Sequence, residues 1–178
     1  PVQLAHMPGL ATGAVPAVRI IARTGWTTDE LSAAIDAEAA SGALEPEYRR
    51  VSLLIGVNNQ YRGRDVGTYQ DDHAALLDRA IGLAGGDPAR VFAVSIPDWG
   101  VTAFGAADPR GPARIGAEID AFNAAAVRNC QRRGVPFIDI TPISRAHPDW
   151  VVADGLHPDA RQYRAWATLV AERLAARR

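Results

Sequence analysis

Four short runs of the chain are apolar almost throughout: Val18–Ala22 (VRIIA), Val51–Ile55 (VSLLI), Val91–Ile96 (VFAVSI) and Val135–Ile140 (VPFIDI). Continuous apolar runs of this length read as strands buried on both faces, because a strand with one wet face alternates instead. Between them the apolar period becomes helical. Thr27-Thr28-Asp29-Glu30 has capping-box spacing and opens a run of good helix formers, LSAAIDAEAA. From Asp65 to Ala84, residues Tyr69, Leu76, Leu77, Ala80, Ile81 and Leu83 share a helical pattern that stops at Gly85-Gly86. Ala113–Arg133 and Ala160–Arg177 predict two more helices. Asp71-Asp72-His73 reads as a solvated helix face without metal-ligand spacing. Pro97–Pro112, rich in Gly and Pro, reads as a long loop of the kind that often carries function. The opening stretch, PVQLAHMPGLATGAVPAV, reads as the end of a helix plus a connection.

Strand and helix therefore alternate, which predicts an α/β fold: a three-layer sandwich with a central parallel sheet and helices on both faces. Residues 1–178 suffice for a single domain with a sizeable core. In such sheets ligands bind beyond the carboxyl ends of the strands.

Composition narrows the function classes. The chain is 48% hydrophobic and 22% charged, with a formal net charge of -1. No basic stretch suggests a nucleic-acid surface. No apolar run approaches the ~20 residues needed to span a bilayer. Cys130 stands alone, so neither an intrachain disulfide nor a cysteine metal site is expected. With no leader visible, this favours the cytoplasm; secretion stays open because Pro1 is not an initiator residue. The glycine-rich stretches lack the lysine and spacing of a phosphate loop.

Candidate chemistry stands at the predicted strand ends. Arg23-Thr24-Gly25-Trp26 follows the first run, Gly56-Val57-Asn58-Asn59-Gln60-Tyr61-Arg62-Gly63 the second, and Pro97-Asp98-Trp99-Gly100 the third. The last loop holds Asp154 and His157 just before the final helix. Each has a plain reading: Gly25, Asn58 and Asn59 as turn formers, Asp154 as a helix cap, His157 as a surface residue, and Trp26, Tyr61 and Trp99 as packing. As a set they have a chemical one. A serine hydroxyl needs a base to take its proton during attack, and imidazoles titrate near neutral pH. An aspartate on one ring nitrogen selects the tautomer that turns the other nitrogen toward the serine.

In order and spacing these blocks resemble the SGNH hydrolases, also called GDSL esterases and lipases. Asp154-Gly155-Leu156-His157-Pro158 matches the family's D-x-x-H block before the C-terminal helix. Gly56-Val57-Asn58-Asn59 matches G-x-N-D except at Asn59, and Gly25 fits the glycine block by position. The resemblance implies a flavodoxin-like sandwich and a serine esterase working through an acyl-enzyme on acyl esters, lipids or acetylated sugars. It assigns His157 as base, Asp154 as its orienter, and the Gly25 N–H and Asn58 amide as oxyanion donors. Trp26, Tyr61 and Trp99 fall near the expected substrate pocket. No cofactor or metal is implied; the partner is a small-molecule ester, with oligomeric state open.

The Gly-Asp-Ser block is not among these residues. Ser32, Ser41, Ser52, Ser95 and Ser144 lie in predicted helices, strands or a loop without the strand-end turn that presents a nucleophile. The expectation is an upstream segment that carries the serine and supplies a first strand, so that the fold lacks that strand or completes it elsewhere. The alternatives are a non-catalytic binding domain of the same fold, and a flavodoxin-like phosphate binder. The esterase reading requires the His157 imidazole and the Asn58 amide to converge on one pocket.

Overall fold

The structure, a computed structural model, describes residues 17–177. The connection read into residues 1–16 lies outside them. Among the described residues, three parallel strands form the sheet: β1 (Val51–Leu53), β2 (Val91–Val94) and β3 (Phe137–Ile138), in that order across it. Val51 pairs with Val91 and Ala93 with Phe137, the register of a parallel α/β sheet with its apolar runs stacked side by side. The α/β class read from the alternation holds.

One predicted strand does not form. Val18–Ala22 has no regular structure, and the side chains of Val18 and Ile20 are exposed. A strand exists by virtue of its ladder, and no described residue pairs with this run. Its β-branched composition makes it competent for pairing and nothing more. Ile21 alone is half-buried against the core.

The helices are α1 (Thr28–Ala40), α2 (Val57–Tyr61), α3 (Val66–Leu83), α4 (Ala103–Ala107), α5 (Gly111–Arg133), α6 (Thr141–Ala146) and α7 (Ala160–Ala175). Their ends are written locally. The Thr27 N–H donates to Glu30 Oε2 at 2.9 Å within the expected capping box. Asp65 caps α3 by accepting from Thr68 N. Pro97–Pro112 is not the irregular loop that its Gly and Pro content suggested. It folds into a 3₁₀ turn at Trp99–Val101, then α4 and the start of α5. Asp98 accepts from Gly100 N at 2.9 Å and Thr102 Oγ1 from Gly105 N at 3.1 Å, so two short caps organise the segment. Gly105 is there for closeness: a Cβ would sit 2.3 Å from the Trp99 carbonyl oxygen.

The described chain divides into two compact units. One, residues 21–96 and 117–139, holds the sheet and α1–α3. Its core is Leu31, Leu53, Leu76, Leu77, Ala80, Val91, Ala93, Cys130 and Val135. The other holds α4, α6 and α7, with Trp99, Ile115, Ile140, Trp166 and Leu174 buried. Within it, buried Asp98 ties the turn to α6: its N–H donates to Ser144 Oγ (2.8 Å) and its carboxylate accepts from Arg145 Nε (2.8 Å).

His73 corrects the reading of its helix face. It is 3% exposed, and the helical period explains why: positions 69, 73, 76, 77 and 80 form one stripe, the one facing the core. Its ring packs on Tyr69, and its Nδ1 lies 3.5 Å from Asn129 Nδ2. Burial, with a smaller contribution from the Arg133 charge, pushes its pKa down to about 4. A histidine kept neutral in the fold but protonated once unfolded weakens the fold as pH falls below the unfolded value near 6.5 toward about 4. Above 6.5 the effect vanishes. The expected loss is up to about 3 kcal/mol at the acid end. Urea midpoints of wild type and His73→Gln between these pH values measure it; parallel pH profiles for the two would refute it.

Candidate active site

In the sheet unit, the turn between residues 23 and 26 closes with Trp26 N donating to Arg23 O (3.3 Å). Gly25 occupies it at φ +89°, a left-handed conformation that side chains disfavour. The segment after β1 grips this turn. Asn58 Nδ2 donates to Trp26 O (3.0 Å), and Arg62 Nη2 donates to Gly25 O (2.7 Å). Asn58 and Arg62 are four residues apart at one helical turn, so both reach the same side. Gly25 and Asn58, from different sequence blocks, are thus brought together.

Asn59, where the resemblance called for Asp, is 1% exposed. Its Oδ1 accepts from Thr28 N (3.1 Å) and its Nδ2 donates to Thr28 Oγ1 (2.7 Å). The Thr28 hydroxyl in turn donates to Asp72 Oδ2 (2.7 Å). An aspartate has no hydrogen to give a hydroxyl whose own hydrogen goes to Asp72. The amide completes this relay and docks the start of α1 on α2 and α3.

In the other unit, the loop before α7 is closed by an antiparallel bridge between Val151 and Pro158. Val152 N donates to His157 O (2.8 Å), and Phe104 N donates to Gly155 O (3.1 Å). Inside it Asp154 Oδ1 accepts from the backbone N–H groups of Leu156 (2.8 Å) and His157 (2.9 Å). Its Oδ2 lies 2.7 Å from His157 Nδ1. The two backbone N–H groups and the imidazole hold the Asp154 carboxyl down at about 2, so it is ionised throughout the neutral range. Both side chains are exposed. The helix cap that Asp154 might have supplied comes instead from Asp159, which accepts from Arg161 N and Gln162 N.

Of the aromatic candidates, Tyr61 is exposed and Trp26 is half-buried against the core. Trp99 is buried, its ring 6.0 Å from Phe104 and 5.0 Å from the Arg110 guanidinium. Among the serines, Ser95 and Ser144 are buried. Ser144 Oγ donates to Thr141 O (2.8 Å), Ser41 Oγ to Glu38 O (3.0 Å), and Ser32 Oγ accepts from Arg79 (2.9 Å). Ser52 lies within β1. Sequence reading missed Arg62, Asp159 and the Thr28–Asp72 link; for Arg62 the signal was its spacing of four from Asn58.

Residues 3–165 match the model of the GDSL-like lipase/acylhydrolase family. The chain belongs to this family. No curated protein sequence matches it significantly. Solved structures of similar fold include a lipase/acylhydrolase from Enterococcus faecalis, 19% identical, with a TM-score of 0.62 over 86% of this chain and 72% of that one. Another is the acetylxylan esterase Axe2 from Geobacillus stearothermophilus, 16% identical, TM-score 0.62, over 84% and 68%. A third is the psychrotrophic esterase EstA from Pseudoalteromonas sp., 16% identical, TM-score 0.58, over 83% and 70%. At these identities the likeness is one of fold. Membership places the GDSL-like chain among ester hydrolases acting on small-molecule esters, and no described helix is long and apolar enough to cross a membrane.

Proposed function

We propose that this GDSL-like chain carries the base and the oxyanion donors of a serine esterase, within one hydrolase domain spanning residues 1–178. The carrying observation is the 2.7 Å contact between Asp154 Oδ2 and His157 Nδ1. With Nδ1 engaged by a carboxylate, the imidazole keeps Nε2 as an acceptor.

The reaction follows from these groups. His157 Nε2 takes the serine proton as the serine oxygen bonds to the ester carbonyl carbon. The carbonyl oxygen becomes an oxyanion facing the Gly25 N–H and the Asn58 amide. On collapse the carbon–alkoxy bond breaks, and His157 returns the proton to the departing alcohol. Water then repeats the cycle on the acyl-enzyme and releases the acid. Asp154 stabilises the transient imidazolium in both halves. Trp26, Tyr61 and Trp99 are assigned to the acyl or alcohol pocket; substrates range over acyl esters, lipids and acetylated sugars. The reading calls for a serine in a Gly-Asp-Ser block, a triplet that these residues do not contain.

Labelling the intact protein with a fluorophosphonate, followed by peptide mapping, tests it. The expected result is one modified serine, in a Gly-Asp-Ser block, and loss of that label in His157→Ala. A label on Ser32, Ser41, Ser52, Ser95 or Ser144 overturns the assignment. Absence of any label favours the alternative, a binding domain of the same fold without its nucleophile.

A further inference from the structure

Arg62 lies at the C-terminal end of α2, on the surface, and forms an ion pair with Glu30 at 3.3 Å. Both partners are about 40% exposed, and such pairs contribute little to stability. Its other nitrogen does something more specific: Nη2 donates to the main-chain carbonyl of Gly25 at 2.7 Å. We infer that Arg62 is a positioning residue, whose guanidinium holds the Gly25 turn so that the Gly25 N–H points at the developing oxyanion. The inference rests on the assignment of Gly25 and Asn58 as oxyanion donors.

The physical case begins with the softness of the turn. Glycine adopts both signs of φ readily, so a turn built on Gly25 at +89° has little intrinsic stiffness. The direction of its N–H then depends on what restrains the neighbouring peptides. One side chain holds each of the next two carbonyls, Arg62 that of Gly25 and Asn58 that of Trp26. Two residues on, Asn59 accepts from Thr28 N and seats the start of α1. Residues 58–62 thus form a clamp along the turn, with Arg62 at the glycine itself.

The chemistry of the clamp favours arginine. The rigid guanidinium fork reaches Gly25 O with one nitrogen and Glu30 Oε2 with another. Glu30 Oε2 also accepts from Thr27 N, so the fork links the turn to the cap of α1. A lysine ammonium keeps the charge and loses the fork. Arg64 is a natural control: its guanidinium pairs with Asp29 at 2.6 Å, while the Gly25 carbonyl is held by Arg62.

The test is steady-state hydrolysis of p-nitrophenyl acetate by the intact protein carrying Arg62→Ala, Arg62→Lys, Arg64→Ala or Asn58→Ala, with thermal melting of each. A donor displaced by a fraction of an ångström acts mainly on the transition state, so Arg62→Ala should lose roughly 10- to 100-fold in kcat with KM within about twofold. Arg62→Lys should fall between the two, and added guanidinium chloride should restore part of the Arg62→Ala loss. Arg64→Ala should stay near wild type. If Arg62→Ala does not fold, Arg62→Lys alone decides, by its kcat. Wild-type kcat in the Arg62 variants while Asn58→Ala is crippled overturns the role of Arg62 and leaves the oxyanion assignment standing. Wild-type kcat in Asn58→Ala overturns that assignment and this inference with it.

Discussion

On the proposed esterase reading, replacing His157 with alanine is expected to lower kcat for p-nitrophenyl ester hydrolysis by about 10⁴-fold or more, because it removes the base assigned to take the serine proton. The fold should not notice. The side chain is 58% exposed and pairs with Asp154, itself exposed, so truncation opens no cavity in the core. Circular dichroism and the melting temperature should match wild type. Asp154→Asn should fall in the same direction, since an amide no longer selects the tautomer or stabilises the imidazolium. Asp154 is held down at about 2, so an acid limb in the rate profile at mildly acidic pH belongs to another group. Turnover near wild type in His157→Ala ends the esterase reading for this loop.

The second large effect is expected at Asn58. Losing one oxyanion donor typically costs about 100- to 1000-fold in rate, and the cost falls on kcat because the full negative charge exists only in the transition state. Asn58→Ala should show that loss with KM little changed. Asn58 also holds the Trp26 carbonyl, so part of the loss will reflect a loosened turn. Asn58→Asp should be worse than alanine, because it removes both amide N–H groups and places a negative charge beside the oxyanion and the Trp26 carbonyl alike. A change confined to KM in Asn58→Ala argues for a binding role instead.

The features legible from sequence share one property: the interactions that make them are short in sequence. Asp154 and His157 are three residues apart, and the loop that joins them lets one carboxylate meet two backbone N–H groups and the ring. The cap at Thr27 and the stop at Gly85-Gly86 are equally local. Where reading failed, an interaction partner lay far along the chain or a residue's character misled. His73 sits on the apolar stripe of its own helix, yet its polarity suggested solvent. Pro97–Pro112 has loop composition, but two side-chain caps are enough to fold it.

The sequence by itself determined the α/β alternation, three of the strands, the main helices and the Asp154–His157 pair, because strand and helix periods and short loops are set by neighbouring residues. The tertiary structure decided that no other described residue pairs with Val18–Ala22, that Asn58 and Arg62 close on the Gly25 turn across more than thirty residues, and that Asn59 relays Thr28 to Asp72. Those contacts depend on which elements pack together, and loop closure over such separations carries no signature in the local pattern of residues.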